Sequence, residues 1–170
     1  AQLKEKETAK VQLENISCSS RELVDNLQNI IWVLNPKNDS LENLSAYIRE
    51  YALKFFDSTT ALVHFHYPQQ NPPIRLSEEQ RRNIFMVIKE TLNNTAKHSD
   101  CTNVAISLSV RKTQLLIEIR DDGKGFEACS VRPFANGLIN MRQRMEQING
   151  SYEIQSAKAC GTVTRLITLL

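Results

Sequence analysis

The apolar residues of this chain switch period as it runs, from about 3.6 to 2 and back, and that switching most restricts the folds open to it. Leu41, Leu44, Ile48, Tyr51, Ala52 and Phe55 recur at helical spacing. Ala61, Val63, Phe65 and Tyr67 then alternate with Leu62, His64 and His66 as a strand would, ahead of a turn from Pro68 to Pro73. Ser77 and Gln80 form a capping box that opens a helix running to about His98, with Ile84, Phe85, Ile88, Leu92, Thr95 and Ala96 as its buried stripe. Val104, Ile106, Leu108 and Val110, and then Leu115, Ile117 and Ile119, are two alternating runs joined near Arg111 to Thr113, which predicts a hairpin. A helix from Gly137 follows, carrying Leu138, Met141, Met145 and Ile148 on one face, with Gly150 placed as a left-handed residue ending it. Tyr152 to Gln155 and Thr162 to Leu169 read as the last two strands. Such alternation predicts an α+β fold, a two-layer α/β sandwich with helices on one face of a mixed sheet.

Upstream lies a different pattern. Leu13, Ile16, Ser20, Leu23, Leu27, Ile30 and Leu34 recur at alternating steps of three and four, the seam of a helix packed against other long helices. The same stripe also suits an amphipathic helix lying on its own domain; its length favours a dimeric helical bundle. Pro36 requires the helix to end near Asn35, and Asn38, Asp39 and Ser40 offer caps for the next. The expected organisation is therefore a helix and linker over 1–38 and a globular domain over 39–170.

Composition removes several classes. Lys and Arg number 21 against 19 Asp and Glu, a net charge of +2 with both signs interleaved, unlike the one-sided basic face of a nucleic-acid binder. No run approaches the 18 or so apolar residues of a membrane span, and no secretory signal opens the chain. Cys18, Cys101, Cys129 and Cys160 stand far apart without a Cys-x-x-Cys pair, against a zinc or redox-pair site and consistent with a reducing cytosol. His64 and His66 share a strand face without a third ligand nearby, as a partly exposed strand face would.

The five glycines, Gly123, Gly125, Gly137, Gly150 and Gly161, all fall in the last third of the chain. Neither a GxxxxGK[ST] loop nor a GxGxxG fingerprint is present. The run DDGKGF, Asp121 to Phe126, is either a tight turn or a carboxylate at a strand end that accepts from an exocyclic amine such as adenine's, with glycines letting a planar base approach. At 100° per residue Glu90, Asn94 and Lys97 share an arc of about 60°, either a solvated stripe or a site in which Glu90 and Asn94 face a hydrated magnesium ion.

ETLNNTAKH at Glu90 to His98, DDGKGF, and NGLINMRQRM at Asn136 to Met145 resemble the N, G1 and G2 boxes of the ATP-binding fold shared by histidine kinases, gyrase and MutL. The forms of the first and last boxes are similar to those of sensor histidine kinases of the nitrate and lipid-fluidity type. Ile30 to Leu44 resembles the end of a dimerisation helix and its linker in related sensors. The resemblance implies a Bergerat-type ATP-binding fold preceded by a dimerisation helix, with ATP and Mg2+ as cofactors. It implies that Asn94 binds the magnesium, that Glu90 acts at the γ-phosphate, and that Lys97 and His98 lie near the phosphates. It further implies that Asp121 accepts from the adenine amine, that Gly123 and Gly125 shape the base pocket, and that Gly137 and Leu138 begin a helix whose free amides meet phosphate. Thr162 follows the last glycine turn at Gly161, and Glu127 to Asn136 would form a lid.

The family often places glycine where Ala135 and Ala159 stand, and alanine tolerates positive φ poorly. The chain's histidines lie on a strand or in the N box, so the phosphoacceptor is expected upstream of Ala1. The implied function is the cytoplasmic kinase domain of a two-component sensor, homodimeric through its first helix. It would pass phosphoryl groups to that histidine and on to a response regulator, reaching a membrane only through other segments. Two alternatives are an inactive nucleotide-sensing or dimerisation module and a protein-serine kinase like the anti-sigma factors. The Pro36 linker and the seam before it favour the histidine kinase.

Overall fold

The computed structural model describes residues 12–13, 16–17, 20, 23–24, 27–68, 73–127 and 136–170. Two compact units are present, Ala1–Asn35 and Pro36–Leu170. In the first, the described residues up to Leu34 are helical, with 27–34 a continuous stretch, α1. Leu13, Ile16, Leu23, Leu27, Ile30 and Leu34 are exposed in the single chain. The Asn35 amide donates back to the Ile31 and Trp32 carbonyls, 3.1 and 3.3 Å. Pro36 then terminates the helix.

After the 3-10 turn Pro36–Asn38, Ser40 caps α2 (Leu41–Phe56), its Oγ accepting from the Asn43 amide at 3.0 Å. Leu41, Leu44, Ile48 and Ala52 are buried as their spacing predicts. Phe56, not Phe55, completes the buried row, while Phe55 stacks on Tyr51. Strand β1 (Leu62–His66) pairs parallel with β2 (Asn103–Arg111), and α3 (Glu78–His98) makes the crossover between them. The capping box at Ser77 and Gln80 is complete in both directions. Ile84, Phe85, Ile88, Leu92 and Thr95 are buried on α3, but Ala96 is exposed; Val87 and Thr91 extend the stripe instead. That shift turns the buried face toward the side on which Asn94 and His98 lie.

β3 (Gln114–Asp121) returns antiparallel to β2 through a turn at Lys112, whose φ is +56°. After α4 (Asn136–Gln147), β4 (Ser151–Ser156) and β5 (Thr162–Leu169) complete a five-stranded mixed sheet in the order β1-β2-β3-β5-β4. Val104, Ile106, Leu108, Leu115, Ile117, Ile119 and Leu166 form the sheet's buried row under the helices. The other row carries half-exposed polar side chains, including an Arg165–Glu118 pair at 2.7 Å. The predicted two-layer α+β architecture is the one observed. Among the described residues no helix is long and apolar enough to cross a membrane.

One terminus differs from expectation. Asn149, with φ +53°, takes the left-handed position after α4 and Gly150 follows it. The Gly150 amide donates to the Met145 carbonyl at 2.8 Å and the Asn149 amide to Glu146 at 3.0 Å, the two bonds of a Schellman motif. Gly150 is small for another reason: a Cβ there would meet the Ile167 carbonyl oxygen at 2.6 Å.

Candidate nucleotide site

A cavity of about 490 Å³ opens between the C-terminal half of α3, the start of α4 and the ends of β4 and β5. Helical geometry explains which α3 residues face it. Measured around the axis from Glu90, Asn94 lies at about 40°, His98 at about 80°, Thr91 at about 100° and Thr95 at about 140°. All five line the cavity. Lys97 falls about 20° the other way, is exposed and does not line it. The arc that faces the cavity is thus the flank between the polar stripe and the buried one, not the polar stripe itself.

From the opposite side come Gly125, Phe126 and Lys124, then Gly137, Leu138 and Met141 of α4. A Cβ on Gly137 would lie 3.0 Å from Glu90 Oε1, so the glycine lets that carboxylate rest against the first turn of α4. Acids are stabilised there by the exposed amides and the helix dipole. Leu138 is half-buried beside it. Ala135 and the expected lid from 128 to 135 lie outside the described residues, as do Cys18 and Cys129; Cys101 and Cys160 are free thiols.

Asp121 ends β3 directly across from Thr162 on β5, which in turn faces Ser156 on β4. Its side chain is buried, and Oδ1 accepts from the Gly123 amide at 3.0 Å. Burial pushes the Asp121 carboxyl pKa up, opposed by the Gly123 and Thr162 amides and the Thr95 side chain. The result is a buried acceptor held on several sides, next to Thr95 and Thr162 of the cavity wall.

The turns beneath are mutually locked. A Cβ on Gly123 would meet the Ser99 carbonyl oxygen at 2.2 Å, and that oxygen accepts from Lys124 N at 2.7 Å. Gly125 has φ +57° and Gly161 φ +72°, and a Cβ on either would strike a facing carbonyl oxygen at 2.1 Å. Ser156 Oγ accepts from the Phe126 amide at 2.9 Å and donates to the Gly161 carbonyl at 3.0 Å, tying the loop after β3 to the turn before β5. Ala159 keeps its turn by adopting φ +62°, with its amide donating to Lys124 O at 2.6 Å. The alanine therefore preserves the turn under backbone strain instead of displacing it.

Residues 79–170, more than half of the chain, match the family described as histidine kinase-, DNA gyrase B-, and HSP90-like ATPase. The chain belongs to this ATPase family. The sensor histidine kinase LiaS of Bacillus subtilis is 31% identical over 87 residues, 51% of this chain and 24% of LiaS. The oxygen sensor histidine kinase NreB of Staphylococcus carnosus is 26% identical over 158 residues, 85% of this chain and 46% of NreB. The chain thus spans less than half the length of these curated relatives. Among solved structures, the blue-light activated histidine kinase of Erythrobacter litoralis shares the fold with a TM-score of 0.70 at 20% identity, over 92% of this chain and 50% of that one. The Acinetobacter baumannii histidine kinase AdeS does so with a TM-score of 0.65 at 16% identity, over 94% and 82%.

Within this ATPase domain, Glu90, Asn94, His98, Gly125, Gly137, Leu138 and Thr162 line one cavity. Asp121 and Gly123 do not line it; Asp121 is buried next to Thr95 and Thr162, which do. Several lining residues were not singled out in the sequence, among them Thr91, Tyr152 and Thr164. Thr91 carried a signal, a polar residue beside the apolar stripe; its Oγ1 donates to Val87 O at 2.9 Å. Tyr152 and Thr164 depend on the pairing of β4 with β5, which local sequence does not reveal. The second acid of the loop, Asp122, serves the scaffold. It accepts from the Thr102 and Asn103 amides, 2.8 and 2.9 Å, and from both side chains, which holds its pKa far below the usual carboxylate range.

Proposed function

We propose that this chain is the ATP-binding kinase domain of a two-component sensor histidine kinase, passing the γ-phosphoryl group of ATP to a histidine other than His64, His66 and His98, and thence to a response-regulator aspartate. The observation that carries the reading is one cavity that joins Thr95 and Thr162, the neighbours of the buried Asp121 carboxylate, to Glu90, Asn94 and the first turn of α4. One end suits the exocyclic amine of adenine and the other a triphosphate.

The donor set fits both groups. Glu90 and Asn94 supply two oxygens, few enough for a magnesium ion that keeps most of its waters. That ion would neutralise charge developing on the phosphates. Asp121 accepts from the base, Gly125 and Phe126 border it, and Gly137 and Leu138 offer the unpaired amides of α4 to phosphate. Lys97 lies outside the cavity wall and reaches phosphate only where the triphosphate emerges toward solvent. His98 borders the base end. Because Glu90 already leans on the first turn of α4, ATP binding displaces it and leaves it beside the γ-phosphate, where it can orient the attacking group.

The exposed Leu and Ile stripe before Pro36 supports a homodimer through the first helix. A cytosolic setting and a response-regulator partner follow from the same reading. A fluorescent ATP analogue should bind saturably with Mg2+ and be released by a chelator, and incubation with γ-labelled ATP should leave the chain itself unlabelled. No saturable binding by folded protein contradicts the nucleotide site; acid-labile self-labelling contradicts the exclusion of the three histidines.

A further inference from the structure

Asp121 stands where strands ordinarily come apart. It is the last residue of β3, and its pairs with Val104 on β2 and Thr162 on β5 are the end pairs of both ladders. Strand ends open at little cost in free energy. A carboxylate at such a place keeps its direction only where something beyond it closes the ladder.

On the β2 side the main chain closes it weakly, through one long bond from the Asp122 amide to the Asn103 carbonyl at 3.3 Å. The Asp122 side chain does the rest. Its Oδ1 accepts from the Thr102 and Asn103 amides at 2.8 and 2.9 Å, and its Oδ2 from Thr102 Oγ1 and Asn103 Nδ2 at 2.7 and 2.8 Å. All four are shorter than the main-chain bond, and hydrogen bonds to an ionised acceptor are stronger than neutral ones. The clamp is anchored in turn on β1, because the Leu62 amide donates to the Thr102 carbonyl at 2.9 Å and His64 Nε2 to Asn103 Oδ1 at 3.0 Å. Asp122, Thr102 and Asn103 are exposed, and none of them lines the nucleotide cavity. Whatever the clamp does for a ligand, it does through the neighbouring Asp121.

We propose that Asp122 is a positioning residue for base recognition: by closing the β2–β3 ladder one residue beyond Asp121, it fixes the direction in which the Asp121 carboxylate meets the exocyclic amine of the purine. This rests on the nucleotide reading above. The clamp acts at the amine and not at the phosphates, which meet Glu90, Asn94 and α4 at the other end of the cavity. Its loss lowers affinity for a nucleotide that carries the amine and spares one that lacks it. A general loosening of the fold weakens both alike.

The test is calorimetry with ATP and with the triphosphate of purine riboside, which is ATP without its exocyclic amine, on the parent chain, Asp122→Ala, Thr102→Val and Thr102→Ser. Asp122→Ala should weaken ATP about five- to ten-fold, the loss of one well-aimed hydrogen bond, and leave the amine-free nucleotide within about two-fold of the parent. Thr102→Val removes one of the four donors and should shift the same ratio by a smaller factor, about two- to three-fold, while Thr102→Ser, which keeps the hydroxyl, should match the parent. A folded Asp122→Ala variant with the parent's ratio of the two affinities overturns the proposal, whether both are unchanged or both fall together. Should that variant not fold, the Thr102 pair decides by the same ratio, and equal behaviour of Val and Ser overturns it. A parent that binds both nucleotides equally well, or neither, overturns the base reading on which the proposal rests. A preference for ATP that Asp121→Asn removes and Asp122→Ala leaves intact overturns this inference alone.

Discussion

Replacing Ala159 with glycine should make the protein more stable, although it removes a methyl group. Ala159 holds φ +62° in the turn between β4 and β5 and is exposed. A left-handed conformation costs an L-residue with a Cβ about 1–2 kcal/mol. Glycine escapes that strain but gives the unfolded chain more freedom, which offsets roughly 0.4–1 kcal/mol. The difference leaves a net stabilisation of about 0.5–1 kcal/mol. For a chain of 170 residues this is a rise in melting temperature of roughly 2–3 °C. Urea unfolding monitored by circular dichroism should show a higher midpoint at unchanged slope, since the buried surface is the same. Lys112→Gly is the internal control, because Lys112 sits exposed at φ +56° in the β2–β3 turn and should respond alike. Stabilisation of the Lys112 variant together with destabilisation of the Ala159 variant would refute the reasoning, because the Ala159 methyl would then contribute packing that outweighs its strain.

Gly125→Ala should have the opposite sign. Positive φ and a Cβ 2.1 Å from the Ala157 carbonyl oxygen force the two turns apart, so stability should drop by about 2 kcal/mol or more in the same urea assay and ATP affinity should fall with it. Asp121→Asn should leave stability at neutral pH equal to or above the parent's while weakening ATP. The Asp121 pKa is raised on folding, so its penalty is absent below 3.8 and complete once pH exceeds the folded value. A thermal melt at pH 7 in which the Asn variant is clearly less stable would contradict that. Asp122 works in the other direction: its pKa is depressed, so its contribution is present above 3.8 and is lost as pH falls toward the folded value. Acid unfolding should therefore be shallower in Asp122→Asn than in the parent, and equal steepness would show that the clamp on Thr102 and Asn103 contributes little.

Local signals located the elements well because each boundary has a local cause. Pro36 stops the first helix, Ser40 and Ser77 cap the next two, and strict alternation marks β2 and β3. The buried stripe of α3 lies a few tens of degrees from where apolar spacing puts it, which leaves Ala96 exposed and Lys97 off the cavity wall. Which flank of a helix faces a site depends on what packs against the other flank, here α2 and α4, and that is not a local property. Glycine favours the left-handed state, which points to Gly150, but Asn149 also tolerates it and takes the position, while Gly150 makes a close approach to Ile167. Tyr152 and Thr164 entered the site only through the strand order β3-β5-β4, which brings chain-distant residues to one wall. Glu90 and Asn94, which line the cavity, and Asp121, buried beside its Thr95 and Thr162, each stand in a recognisable local box and are legible as candidates for that reason.

The most direct test of the account is calorimetric titration of the folded chain with ATP in the presence of Mg2+, repeated with Asp121→Asn and Asn94→Ala. Saturable, magnesium-dependent binding in the micromolar to millimolar range is predicted, weakened at least about ten-fold by either substitution, as expected for loss of a charge-assisted contact. Folded parent protein that takes up no ATP, or that binds it equally well without the Asp121 carboxylate, would contradict the site described above.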